Sequence, residues 1–270
     1  MRLLLAALAL LGASVAAQAQ ETWALPDGKA YIATSEPAPE VRPEGHPVWP
    51  ISARLSEPTD RYSHDVLGGI PRWGALSVTA LACADCRNGY TGGGLRLPED
   101  LVFEDTGARL WDVTGDGIPE IVVVESHVQK GARLTAYHLR DGKLRRLAST
   151  GFIGQANRWL APLGVGDFNG DGRPDIAYVD RPHLARQVVI VTQQGNRLVE
   201  VARVAGFTNH RIGQPFISGG VRDCGAGGEA IVATADWSQL VALRLDQGKA
   251  EARSLGAFRG PADFTRALHC

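Results

Sequence analysis

The sequence carries almost no net charge: 28 Lys and Arg face 29 Asp and Glu, which leaves −1 over 270 residues. A chain so balanced has no electrostatic reason to bind nucleic acid, and that class is set aside. After the first twenty residues there is no apolar run long enough to span a bilayer as a helix. The short motifs of common chemistries are missing too. There is no HExxH, no GxSxG, no P-loop and no GxGxxG before a helix, so nucleophilic, phosphoryl-transfer and dinucleotide chemistry lack support. What is abundant is 32 Gly and 15 Pro, which predict many turns and many short elements, with no helix longer than a turn or two. At 44% hydrophobic residues the chain has enough apolar surface for a full core, which excludes disorder.

The N-terminus reads as an export signal. Arg2 precedes the apolar run from Leu3 to Leu11, and Ala17-Gln18-Ala19 has the A-x-A pattern that signal peptidase cuts. Residues 1–19 are therefore expected to be removed, leaving a periplasmic or secreted product. No Cys follows the cut to take a lipid anchor.

Self-similarity dominates the rest. Trp111-DVTGDGIPEIVVVE-Ser126 matches Gly166-DFNGDGRPDIAYVD-Arg181, with Asp112 and Asp167 55 residues apart. Hairpin patterns starting at Leu134, Val188 and Leu240 follow at constant spacing, because their turn glycines, Gly142, Gly195 and Gly248, are each separated by 53 residues. Asp223-CGAGGEAIVATA is a decayed copy of the same unit. So is Asp65-VLGGIPRWGALSV, which aligns if the counterpart of Asp116 is deleted. Four copies of strand, Gly-rich turn, strand and hairpin predict an all-β fold, a small β-propeller of four or at most five four-stranded antiparallel blades over residues 61–258. Residues 20–60 are dense in proline and predict an extended strap, with a small hairpin from Trp23 turning at Asp27-Gly28. The tail 259–270 is a candidate for the strand that closes the ring.

Two loops gather oxygen ligands at matching positions. In the first, Asp112, Thr114, Asp116 and Glu120 stand at positions 1, 3, 5 and 9, with Gly117 at 6 and the Ile118 carbonyl at 7. In the second, Asp167, Asn169, Asp171 and Asp175 fill the same places, with Gly172 at 6 and the Arg173 carbonyl at 7. Hard Ca2+ takes six to eight oxygens, and alternate residues of a glycine-turned loop can aim theirs at one centre. An EF-hand would put its bidentate Glu at position 12 between helices. Here the acid comes at 9 and a β-run follows at once, so these are β-loops. Like charges about 4 Å apart cost about 1 kcal/mol in water and about 4 kcal/mol at an effective dielectric of 20, a penalty that a divalent ion reverses. The alternative is an Asx-turn loop in which the Asp and Asn side chains bond their own backbone. The repetition of the spacing favours metal, about two structural ions, with Ca2+ ahead of Mg2+. The first copy has Arg72 where Glu120 stands and the fourth has Cys, Ala and Gly in the ligand region, so neither is expected to bind.

These two loops, Asp112-VTGDGIPEI and Asp167-FNGDGRPDI, resemble the FG-GAP/VCBS-type repeat of integrin-α-like β-propellers. The resemblance implies calcium-stabilised blades and extracellular recognition or adhesion. Members of that class are mostly seven-bladed, which departs from the four copies counted here. It includes domains attached to enzymes, so it does not fix an activity.

Four cysteines in an exported chain predict two disulfides. Four cysteines allow three pairings, of which Cys83–Cys86 with Cys224–Cys270 is favoured; a redox role for Cys83-AD-Cys86 lacks a βαβ context. The seven scattered histidines read as surface or turn residues. Trp73, Trp111 and Trp159 lie near repeat loops and read as packing between blades. The sequence thus predicts an exported, non-catalytic module that binds an unknown protein or glycan partner. The rival is a hydrolase or lyase acting on glycans, for which Asp65, Glu229 and Asp236 are the candidate acids. A third possibility is a structural subunit of an envelope assembly.

Overall fold

The computed structural model describes residues 23–24, 30–31, 48–81, 90–140 and 142–270. The expected signal segment, most of the Pro-rich strap and the Cys83–Cys86 pair lie outside the described residues. The chain divides into residues 1–33 and 34–270. In the first unit, β1 (Trp23–Ala24) and β2 (Ala30–Tyr31) pair antiparallel with Trp23 opposite Tyr31, where the small hairpin was expected. Its turn at Asp27-Gly28 lies outside the described residues.

The second unit begins with β3 (Trp49–Thr59), β4 (Arg72–Leu81) and β5 (Tyr90–Arg96), an antiparallel meander centred on β4. Residues 49–59 fall in the expected strap but form a strand. Pro50 and Pro58 are tolerated there because β3 pairs with β4 alone, and an edge strand needs donors on one side only. Next come β6 (Leu101–Phe103), β7 (Arg109–Trp111), β8 (Glu120–His127), β9 (Gly131–Arg140) and β10 (Lys143–Ser149). The strands β7 to β10 form a four-stranded antiparallel meander. So do β11 (Leu160–Gly166), β12 (Asp175–Asp180), β13 (Gln187–Gln194) and β14 (Arg197–Ala205). After the short β15 (Phe207–Thr208), a third such meander is made by β16 (Gly220–Asp223), β17 (Gly228–Thr234), β18 (Gln239–Asp246) and β19 (Lys249–Ala257).

Two joins merge the units before β15 into a twelve-stranded sheet. The strand β6 pairs with both β4 and β8, and β10 touches β14 in parallel at Ser149 and Arg197. The strands β15 to β19 form a separate five-stranded sheet. Each expected hairpin turns at its glycine, and in the last Gln247 and Gly248 both have positive φ, 48° and 76°, as a two-residue type I′ turn requires.

Why the second strand of each repeat reads as an unbroken apolar run is clear from its burial. Ile121 to Val124 in β8 and Ile176 to Val179 in β12 are buried along their whole length, covered on both faces. One core joins Leu76, Val78 and Phe103 to Ile121, Val123 and Leu139. Another joins Ala177, Val179 and Ile190 to Val232, Val241 and Leu243, and so packs the second acidic repeat against the five-stranded sheet.

The tail forms no strand. It folds into α1 (Pro261–Ala267), with Pro261 in the first turn and the Asp263 carboxylate accepting from the Arg259 and Gly260 N–H groups at 2.6 and 3.2 Å. Phe264 packs on Trp237 and Phe258, the Arg222 guanidinium donates to the Ala267 carbonyl at 2.6 Å, and Cys270 is disulfide-bonded to Cys224. A short helix suits this place because one face of the last sheet, with Ile231, Ala233 and Leu240, needs an apolar cover more than its edge needs a partner.

Candidate functional site

The two acidic loops have the same backbone and the same internal hydrogen bonds. Gly115 and Gly117 have φ of 77° and 82°, and Gly170 and Gly172 have 77° and 78°, a left-handed conformation that positions 4 and 6 can hold without strain only as glycine. Asp112 turns one oxygen to the Gly115 N–H (2.7 Å) and the other to the Gly117 N–H (2.8 Å). Asp167 does the same with Gly170 (2.7 Å) and Gly172 (2.9 Å). Thr114 donates weakly to Asp112 at 3.4 Å, while Asn169 accepts from the Asp171 N–H at 2.9 Å. Asp116 accepts from the Ile118 N–H (2.8 Å) and Asp171 from the Arg173 N–H (2.9 Å), with the Arg173 guanidinium at 3.3 Å. Among the described residues no three His, Cys, Asp or Glu side chains converge on one centre.

The ninth position behaves differently. Glu120 and Asp175 each open the strand that follows the loop, in register opposite Trp111 and Gly166, and both are buried. Burial pushes the Glu120 carboxyl up to about 8, and the nearby charges of Asp116 and Asp112 add to it; its one N–H bond from Val113, at 3.0 Å, does not offset this. Asp175 is pushed up to about 6 by the same causes, burial first and then the charges of Asp171 and Asp167. The Thr192 hydroxyl and the Phe168 N–H lie near it, but neither carboxylate oxygen has a partner in hydrogen-bonding geometry among the described residues. A buried carboxylate with both oxygens unpaired, under a loop of further oxygens, is a donor set suited to a hard cation.

The loops sit side by side. A Cβ on Gly115 would lie 3.1 Å from Pro174 of the second loop, and the Asp167 carbonyl accepts the Gly228 N–H at 2.8 Å from the fourth copy.

The fourth copy keeps the strand register and changes the chemistry. Glu229, opposite Arg222, is the counterpart of Glu120 and Asp175, and it is held by the Arg222 and Arg253 guanidinium groups. Burial pushes its carboxyl up, but those two arginines outweigh it and hold it below the usual range. Asp223 still caps two loop N–H groups, of Gly225 and Gly227. In the first copy Arg72 pairs with Thr59, six residues before Asp65, so the rung seen in the other copies is shifted there. The acids considered for glycan chemistry do not come together: Asp65 caps the Gly69 N–H, Glu229 is ion-paired, and Asp236 closes a turn with Thr234 and Ser238.

One histidine departs from the surface or turn expectation by its burial. His210 is 1% exposed and hydrogen-bonded to His183, and His64 is bonded to the wholly buried Glu104. Sequence spacing has no signal for this, because the partners are 27 and 40 residues apart in different connections between strands. Trp159 is buried as expected, its indole N–H donating to the Glu104 carbonyl at 2.8 Å.

Comparison with known proteins agrees with the loop geometry. Residues 112–178 match the family model of the FG-GAP-like repeat. No curated protein matches the sequence. Among solved structures, the periplasmic gluconolactonase PpgL of Pseudomonas aeruginosa aligns with 89% of this chain at 14% identity and a TM-score of 0.41, and the chain spans 63% of that structure's length. The stretch from the first acidic loop to within β12 thus matches the FG-GAP-like repeat that the two loops resemble.

Proposed function

We propose that the protein is an exported, non-catalytic β-propeller module whose two intact loops hold structural Ca2+ and whose remaining surface serves an extracytoplasmic protein or glycan partner. The observation that carries the calcium reading is Asp175, wholly buried with both oxygens unpaired beneath a loop whose geometry recurs around Glu120. Asp112, Asp116, the Ile118 carbonyl and Glu120, with Thr114, would hold one ion. Asp167, Asn169, Asp171, the Arg173 carbonyl and Asp175 would hold the other. Bound Ca2+ supplies the positive charge that buried carboxylates need; the chain supplies the oxygens and the glycine-turned backbone. Each four-stranded meander is read as one blade, with β3 to β5 as a reduced one. Export is supported by the Cys224–Cys270 disulfide, since such bonds persist in oxidising compartments, and no helix among the described residues is long and apolar enough to cross a membrane. The test is a Ca2+ titration by calorimetry and thermal unfolding: two saturable sites and a raised melting temperature are expected, and absence of both heat and stabilisation refutes the reading.

A further inference from the structure

At the end of β8, β11 and β12 remote from the acidic loops, side chains from five separate segments meet. Ser126 lies near the end of β8, Trp159 just before β11, His183 beyond β12, His210 beyond β15, and His64 in the β3–β4 connection. Glu104 is 0% exposed, with one oxygen 2.6 Å from His64 Nδ1, the other taking the Ser126 hydroxyl at 2.5 Å and its carbonyl taking the Trp159 indole N–H. The charge of Arg72 also acts on it. Trp159 lies nearly parallel to the His183 ring (6.4 Å, 17°) and edge-on to His210 (4.9 Å), which locks both imidazoles.

The proton positions follow from the partners. His210 Nε2 is 2.9 Å from the Gln214 carbonyl, and a carbonyl can only accept, so Nε2 carries the proton and His210 Nδ1 is bare. His183 Nε2, 2.9 Å from that bare nitrogen, must donate to it. In the neutral ring His183 Nδ1 is then an acceptor with no partner among the described residues. Burial holds both rings at about 4, so they are neutral at pH 7. His64 lies near His183, and with its Nδ1 taken by Glu104 its Nε2 has no partner among the described residues.

Three properties define the ligand. A hydroxyl, which both donates and accepts, matches the bare His183 nitrogen and either form of the His64–Glu104 pair, whereas a carboxylate cannot donate. The arginines in these loops, Arg158, Arg181, Arg186 and Arg211, disfavour a cation. Leu184, Ile212 and Phe216, exposed by 62, 66 and 41%, follow His183 and His210 in sequence and put apolar surface on the same two loops. We propose that His183 Nδ1 and His64 Nε2 bind the hydroxyls of a neutral sugar or polyol whose C–H face rests on Leu184, Ile212 and Phe216. The site shares no residue with the acidic loops, so its failure leaves the calcium reading untouched.

Long-range 1H–15N spectra of the histidine-labelled full chain, with Ca2+ present, test this using methyl β-D-glucopyranoside and myo-inositol as probes. Expected are an unprotonated His183 Nδ1 in the free protein and saturable shifts at His183 Nδ1 and His64 Nε2 with at least one probe, lost in His183→Gln. If that variant does not fold, Leu184→Asp, an exposed change, should weaken the same response severalfold. A protonated His183 Nδ1, shifts that are absent or never saturate with both probes, or a response unaffected by either variant overturns the proposal.

Discussion

Arg222 grips Glu229 directly across the β16–β17 ladder, Nε and Nη2 at 2.8 and 2.6 Å, at the rung where Glu120 and Asp175 stand in the intact repeats. A guanidinium thus neutralises in the fourth copy the carboxylate that an ion is proposed to neutralise in the second and third. Arg222→Ala should cost about 1.5–3 kcal/mol, the range for hydrogen bonds to charged groups, because it leaves a partly buried carboxylate with Arg253 alone. The loss should be equal in EDTA and in Ca2+, as read from urea unfolding. A loss that Ca2+ rescues would show that the fourth copy binds metal after all.

Calcium should stabilise through two independent sites. At free Ca2+ of 100 times Kd each site adds about 2.7 kcal/mol, and Asp116→Ala and Asp171→Ala should each remove one such increment. Asp175→Asn makes a sharper test by sign: it should stabilise the metal-free protein, by removing a buried unpaired charge, and abolish the gain from Ca2+ at that site. Thermal unfolding with and without EDTA distinguishes these outcomes.

Acid should destabilise the protein through His210 and His183. Both rings are held at about 4, below the ordinary 6.5, chiefly by burial. The unfolded chain takes up protons below about pH 6.5 while the folded rings stay neutral, so their contribution is complete above pH 6.5 and is lost as pH falls towards 4. The slope is about 1.4 kcal/mol per pH unit for buried His210 and less for half-buried His183. Denaturant midpoints of the Ca2+-loaded protein between pH 7 and 5 should therefore fall, and fall less steeply in His210→Gln. An unchanged slope in that variant would contradict the assignment.

The C-terminal helix should be an energetic part of the fold. Phe264 is 4% exposed against Trp237 and Phe258, and Phe264→Ala should cost about 3–5 kcal/mol, the range for buried aromatics. Reduction of Cys224–Cys270 should add to that loss. Unfolding no different from the parent protein would mean that the helix is only tethered.

The repeat was legible wherever its signal was local. Glycines at fixed positions, alternating hairpin strands and alternate oxygens around Gly117 and Gly172 are short-range patterns. The structure returns them as turns with positive φ, as the meanders after Trp111, Leu160 and Gly220, and as two loops with matching hydrogen bonds. Even the decayed fourth copy kept its register, because the strand that follows its loop is pinned by its core face.

What remained hidden depends on separation in sequence. That β6 bridges β4 and β8, that β10 meets β14 in parallel, and that residues 49–59 form an edge strand are matters of which backbone groups find partners after collapse. The tail becomes a helix because an apolar sheet face needs cover; Pro261 and Asp263 are local start signals for it, but the face that Phe264 covers is not visible in residues 259–270 alone. The His64–Glu104 and His183–His210 pairs exist only because distant strands end at one place. Local spacing sets turns, strands and candidate ligands through backbone geometry and side-chain periodicity. Burial and unpaired polar atoms, which decide what those side chains can do, arise only when the sheets come together.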